Sequence, residues 1–307
     1  MATPPLGGIS TASPPTNGIN SLNEPWPSPD NLAAATQTHR QGAFAISSRK
    51  LPISKAGPIE AMERDIRIPV PEMIFGDNLV TIAHAPTGWR IEFNARDALD
   101  AVDKTGDNML QVAYADEWSA SREQTSAGIR EVVKPFDWSY SSTYKGTVSV
   151  AATGEGEMET RDLEFKQTDL PIPIELLKRR DPILFFDDVV LYESELDDNG
   201  ISIMSVKLRV HQERMLLLCR LYMRLDNVVC RVRDTRVYVD FGAEVVTREY
   251  TEKEAAFNDV KQKLLISGLR PDGITVALRD ANQIAEVLPV VNYNLESVSL
   301  ASSSSSS

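Results

Sequence analysis

Apolar and polar residues alternate with a period of two along much of this chain, a pattern that predicts strands with one buried face. Leu79–His84 and residues 89–93 flank Ala85-Pro86-Thr87-Gly88, a segment whose composition predicts a hairpin. Residues 184–193 and 201–210 flank Asp197-Asp198-Asn199-Gly200. Asn-Gly between two apolar runs is the strongest short hairpin signal. Residues 215–225 follow, then the turn Asp226-Asn227, then 228–234 and 236–241. The run reads as a meander of four or five antiparallel strands at the centre of the fold. Residues 110–114 read as one more strand.

Helical signals are fewer. Asn94 resembles a helix N-cap, with Asp97 at the third position and the helix-forming residues 98–102 behind it. A short helix is predicted over 117–122. Thr251 and Glu254 form a capping-box pattern ahead of 255–266, where Phe257, Val260, Leu264 and Leu265 share one stripe. Residues 280–288 are a last helix, stopped by Pro289. Strands in a run with helices appended predict an α+β fold, mainly antiparallel sheet with flanking helices. The first 40 or so residues are rich in Pro, Ser, Thr, Asn and Gly and predict disorder, as does the serine run at 302–307. The expected division is a tail over 1–42, one folded domain over 43–294 and a second tail over 295–307.

Composition narrows the function. The 307 residues are 42% hydrophobic and 25% charged, enough for a sizeable core. A net charge of −12 excludes nucleic acid and an anionic membrane surface as expected partners, since both need a basic face. The start of the chain lacks the pattern of a signal peptide. The longest apolar stretch, 215–225, is broken by Arg220 and Arg224 and falls short of a membrane span. A soluble protein of the cytoplasm, or of cytoplasm and nucleus, is expected. Cys219 and Cys230 lie in apolar runs and read as small buried hydrophobes, with an inter-strand disulfide as the alternative.

The chain has little catalytic equipment. Its three histidines, His39, His84 and His211, show no metal-ligand spacing, and no phosphate loop, nucleophile elbow or kinase set is present. Phe75-Gly76-Asp77-Asn78 superficially resembles a metallophosphatase step but lacks the further ligands a two-metal site needs. It reads as a turn. Asp197-Asp198-Asn199-Gly200 likewise lacks the spaced ligands of a calcium loop. A non-catalytic protein with no cofactor or metal is therefore expected. One face of 228–236 carries Val228, Cys230, Val232, Asp234 and Arg236. A carboxylate continuing a buried apolar face requires a partner. Two readings stand: an internal pair with Arg236 or a neighbouring arginine, or the polar rim of a cleft. Asp97 has its own duality, as a helix-start carboxylate or a binding residue.

Longer stretches carry a resemblance. Pro71-Glu72-Met73-Ile74-Phe75-Gly76-Asp77-Asn78 and Ile91-Glu92-Phe93-Asn94-Ala95-Arg96-Asp97-Ala98-Leu99 resemble signature blocks of the TIPRL family (TOR signalling pathway regulator-like, "Tip forty-one"). So do Ala115-Asp116-Glu117-Trp118, Val133-Lys134-Pro135-Phe136-Asp137-Trp138-Ser139-Tyr140, Arg233-Asp234-Thr235-Arg236 and Arg248-Glu249-Tyr250-Thr251. The similarity spans roughly 53–257, in order. It implies a mixed α/β fold and a regulator that binds catalytic subunits of type 2A-like phosphatases in TOR-linked signalling. The alpha-four-type phosphatase regulator is a further implied partner. The resemblance also implies a cleft for the phosphatase's C-terminal tail, with Asp97 and Asp234 as its polar residues and Ile172 and Val232 as its apolar ones. Val232 replaces a longer methionine of relatives. The expectation is one groove in which both aspartates accept hydrogen bonds from the tail.

Overall fold

The computed structural model describes residues 27–104, 136–151 and 163–301. Thirteen strands and seven helices are described, and the strands form two antiparallel sheets. The smaller sheet runs β1 (Thr36–Gln41), β2 (Phe44–Arg49), β4 (Leu79–His84), β5 (Trp89–Asn94), β6 (Thr147–Val150). The larger sheet is built on the meander: β8 (Phe185–Ser194), β9 (Gly200–Val210), β10 (Arg214–Leu225), β11 (Val229–Asp240), β12 (Val245–Ala256) and β13 (Val290–Ser299). Two short strands close it, β3 (Met73–Ile74) beside β8 and β7 (Lys166–Gln167) beside β13. The α+β class and the central meander follow the sequence pattern.

Local chemistry explains the hairpins. Before Gly200, Leu196, Asp197 and Asp198 all take positive φ, and the Asn199 side-chain amide donates to the carbonyls of Leu196 and Asp197. A Cβ on Gly200 would meet the Arg224 carbonyl oxygen at 1.9 Å, so the close approach of β10 demands glycine there. At β5, the Asn94 carboxamide caps α3 (Ala95–Asp100) by accepting from the Asp97 amide at 2.8 Å.

Strand parity then sorts the core. On β10, Met215, Leu217, Cys219, Leu221 and Met223 point into the space between the sheets, against Val80, Ile82, Trp89, Ile91 and Phe93. This is the inner face. The outer face carries Tyr222, Cys230 and Val232, covered by three helices: α5 (Phe257–Ile266), α6 (Pro271–Ala277) and α7 (Ala281–Val287). The two cysteines therefore lie on opposite faces. Both are free and buried, which removes the disulfide alternative, and burial pushes the Cys230 thiol up to about 12.

Several expectations need correction. Thr251 and Glu254 do not cap a helix. They are residues of β12, held there by pairing with Asp234 and Arg231 of β11, and the helix begins at Phe257 without a side-chain cap. β11 is a single strand rather than two. Ordered structure is wider than 43–294: α1 (Pro29–Ala34) and β1 precede residue 43, and β13 runs to Ser299. His39 is thus a strand residue, stacked on Phe185 with ring centroids 5.7 Å apart. Further elements that the sequence pattern does not mark are α2 (Ala56–Ile66) and α4 (Ile174–Lys178). The strand expected at 110–114, the helix at 117–122 and the tails at 1–26 and 302–307 lie outside the described residues. Among the described residues, no helix is long and apolar enough to cross a membrane.

Candidate functional site

Asp234 sits in mid-β11 on the outer face, directly opposite Arg220 of β10 and Thr251 of β12. Arg220 Nε and Nη2 donate to its two oxygens at 2.6 and 2.7 Å, and Arg236 Nη2 adds a third bond at 3.1 Å. Arg236 Nη1 also donates to Glu249 Oε1 at 2.6 Å, and Tyr293 Oη donates to Glu249 Oε2 at 3.3 Å. At the other end Arg220 Nη1 reaches Asn282 Oδ1 of α7 at 2.8 Å. A polar relay thus crosses the outer face from β13 to α7. Asp234, 2% exposed at its side chain, is tolerated there because two guanidinium groups share its charge.

Beside the relay lies a cleft of about 460 Å³, bounded by β9, β10 and the residues leading into α7. Ile201, Ile203, Leu218 and Tyr222 supply its apolar surface. Lys207, Arg220, Arg224 and Arg279 supply four positive charges, and no carboxylate lines it. The helical wall is tied down by hydrogen bonds from Tyr222 Oη and Arg224 Nη1 to the Leu278 carbonyl, 2.6 Å each, and from Lys253 Nζ to the Ala285 carbonyl at 2.6 Å.

A strap, residues 168–184, crosses the same face. It leaves β7 with Thr168 N donating to the Leu295 carbonyl at 3.1 Å, and it joins β8 with Leu184 N donating to Val210 at 2.8 Å. Between these points Arg214, buried on the outer face, holds the Leu176 carbonyl and the Asp181 carboxylate at 2.6 Å each. Ile172 is buried in the strap, whereas Leu170 and Ile174 on either side are exposed. Val232 is fully buried under the helices.

Asp97 occupies a different corner. Its side chain is 26% exposed, in the first turn of α3. Thr147 Oγ1 and Asn94 Nδ2 donate to its Oδ2 at 2.5 and 3.0 Å, and Arg96 Nη1 donates to Oδ1 at 3.1 Å. Burial opposes ionisation, but these three donors outweigh it and hold the carboxyl below the usual aspartate range. Ala95, Ala98 and Leu99 root α3 in the inner core. Neighbouring Tyr144, 3.2 Å from the Thr147 hydroxyl, accepts from Thr235 Oγ1 through its carbonyl. Contacts from Asp97 therefore lead to the inner face of β11, while Asp234 projects from the outer one.

The structure brings Val232 and Asp234 together on one face, passes the Ile172 strap over that face, and leaves Asp97 apart. The expected groove rimmed by both aspartates is not formed, because a one-residue step along a strand reverses the face. Thr235, not Asp234, points toward the α3 layer. Nor is Asp234 a free acceptor: the internal-pair reading is the one observed. Sequence reading missed Arg220, Lys207, Arg279 and Asn282. Arg220 and Arg224 did leave a signal, as two cations interrupting an apolar strand at the same parity. The other histidines serve the fold. His84 is buried with Nδ1 2.9 Å from the Thr87 hydroxyl, and His211 Nδ1 lies 2.9 Å from the Pro182 carbonyl.

Comparison with known proteins gives a consistent set of relatives. Residues 73–261 match the TIP41-like family. A TIP41-like protein of Dictyostelium discoideum is 36% identical over 261 residues, covering 84% of this chain and 91% of its own. The type 2A phosphatase activator TIP41 of Saccharomyces cerevisiae is 35% identical over 333 residues, covering 95% and 88% respectively. A human TIP41-like protein is 36% identical over 250 residues, covering 81% and 84%.

Proposed function

Because the chain belongs to the TIP41-like family, we propose that it regulates a type 2A protein phosphatase by binding the catalytic subunit, and catalyses no reaction of its own. The observation that carries this reading is the match over 95% of the chain to a relative named as an activator of that phosphatase class. The outer-face cleft supports a docking mode in which the extended C-terminal tail of the catalytic subunit lies between the helical wall and the strap.

In this reading the four residues singled out by the resemblance act in two ways. Ile172, Val232 and Asp234 are buried and act through their neighbours. Asp234 acts by holding Arg220 in place, and Val232 and Ile172 act by seating the helices and the strap. Asp97 forms a second contact, away from the tail, that engages the body of the catalytic subunit. The role fits TOR-linked phosphatase signalling in the cytoplasm or nucleus.

The test is a binding measurement between two purified proteins, this chain and a type 2A catalytic subunit, repeated with a subunit lacking its last ten or so residues. Tight binding that weakens on truncation is expected. Absence of binding to the catalytic subunit, with capture of the alpha-four-type regulator instead, would replace this reading with that of a scaffold.

A further inference from the structure

β13 is the last long strand of the larger sheet, and only its second half has a neighbour on the free side. β7 pairs with Glu296 and Ser297, and Thr168 N donates to the Leu295 carbonyl. The contact ends there for a local reason. The Thr168 hydroxyl accepts from Leu170 N at 3.2 Å and turns the chain, and Pro171 has no N–H to offer. Among the described residues, 290–294 are left with no strand beside them on that side. Because the Leu295 carbonyl faces the free side, strand parity turns the N–H and C=O of Tyr293 the same way.

The side chains along this edge are unusually apolar. An extra residue enters β13 opposite Lys253, and Val290 and Val291 are 55% and 59% exposed; Tyr293 is 52% exposed. Native sheets protect free edges with charges, prolines or bulges. Here the bulge shortens the edge without covering it. The two flanking faces differ. Tyr293 lies on the outer face, while Asn292 and Asn294 lie on the other, beside Glu252. Glu252 accepts from Tyr250 Oη at 2.8 Å and Asn292 Nδ2 at 3.4 Å. It makes no ion pair among the described residues, although Arg233 stands opposite it on β11. Glu286, exposed on α7 four residues before Val290, makes none either.

A strand added here must therefore meet hydrocarbon on one face and uncompensated carboxylate on the other. A second copy of this chain fits poorly, since symmetric pairing brings Glu252 and Glu286 toward their own counterparts in a chain of net charge −12. A segment that alternates apolar and basic residues satisfies both faces, and its backbone completes the hydrogen bonding of Tyr293. We propose that the free edge of β13 adds a short extended segment of a partner protein as a further strand, with apolar residues on the outer face and Lys or Arg on the Glu252 side. In the sheet order this edge lies three strands from β10, and its occupancy does not require the phosphatase.

The probe is a capped, fluorescent peptide, Thr-Val-Arg-Val-Arg-Val-Thr, with two control versions whose arginines become glutamine or glutamate. Affinities for the intact chain, Val291→Lys and Glu252→Gln are measured by fluorescence polarisation, and exchange of the Tyr293 amide is followed by NMR. The arginine peptide should bind at least about fivefold more tightly than the glutamate one, and at saturation should slow Tyr293 amide exchange at least about fivefold, the worth of one net hydrogen bond. Val291→Lys should erase binding with circular dichroism unchanged, because that side chain is already exposed. Glu252→Gln keeps the acceptor for Tyr250 and should weaken the arginine peptide about threefold at low salt while leaving the glutamine peptide unaffected.

Equal affinity for the arginine and glutamate peptides overturns the proposal, as does a Tyr293 amide that exchanges no more slowly in the complex. Absence of binding at about 1 mM peptide overturns it as well. A dimer in sedimentation velocity that Val291→Lys converts to monomer replaces the partner segment with a second copy. If Val291→Lys abolishes capture of the phosphatase catalytic subunit, the edge belongs to that interface and a separate partner is excluded.

Discussion

Asp97 and Asp234 are two carboxylates in one resemblance, yet the corners that hold them treat a negative charge in opposite ways. At the start of α3, Asp97 keeps a quarter of its side chain in solvent and is held chiefly by a threonine hydroxyl and a carboxamide, with Arg96 beside it at the surface. In mid-β11, Asp234 is sealed from solvent and gripped by two guanidinium groups. The first can exchange a neutral donor for one from a partner at small cost. The second cannot, because a donor taken from it leaves a buried charge unpaired. Position on the sheet, rather than residue type, decides which carboxylate meets a partner and which builds the surface a partner meets.

The largest effect should come from the sealed site. Asp234→Asn removes the counter-charge of Arg220 and leaves Arg236 with Glu249 alone, and should lower the unfolding free energy by about 3–5 kcal/mol in denaturant titrations. The same variant should bind a tail peptide of the catalytic subunit poorly, since Arg220 is no longer aimed. A stable Asp234→Asn would mean that the relay carries no weight and the contrast with Asp97 is false.

Asp97→Leu should cost only about 1 kcal/mol, the value of its partly exposed hydrogen bonds. It should weaken capture of the whole catalytic subunit and leave tail-peptide affinity unchanged. If peptide affinity falls as well, the two corners act as one surface. Tyr293→Phe trims the far end of the relay, where the bond to Glu249 is long and exposed. A loss of about 0.5 kcal/mol is expected, with peptide affinity held within about twofold.

The smallest effect belongs to the inner layer. Burial pushes the His84 imidazole below its ordinary 6.5, and the Glu244 carboxylate, 3.7 Å from Nε2, opposes that shift without reversing it. A lowered folded value means the unfolded chain takes up the proton first. Stability is therefore full above about pH 6.5 and declines as pH falls through the folded value. Thermal unfolding from pH 7.5 to 5 should show that decline, and His84→Gln should flatten it.

Much of the fold was legible in the sequence where the deciding chemistry is local. Asn199-Gly200 and Pro86-Thr87-Gly88 set their turns from within, and Asn94 caps α3 with its own side chain. The errors fall where a distant strand decides. Thr251-Glu252-Lys253-Glu254 has a helix-start pattern, but pairing with β11 claims those residues for the sheet. The outer cleft was half legible: parity put Val232 and Asp234 on one face and raised an arginine partner for the acid. No pattern in one strand could show that Arg220, fourteen residues upstream, is that partner, or that Thr235 and not Asp234 turns toward Asp97. Arg279 and Asn282 belong to the site only because α7 folds back over β10.

The relay runs from Tyr293 to Asn282, so the surface it supports depends on residues translated after the whole of β8–β12. A chain still attached to the ribosome at residue 270 has already made β8–β12, yet its Arg220 has no Asn282 to hold, its Glu249 has no Tyr293 and its cleft has no helical wall. Domains fold largely as units while synthesis proceeds. Capture of a partner is thereby deferred until α7 and β13 have been made, and a product truncated before Arg279 lacks the wall that closes the cleft.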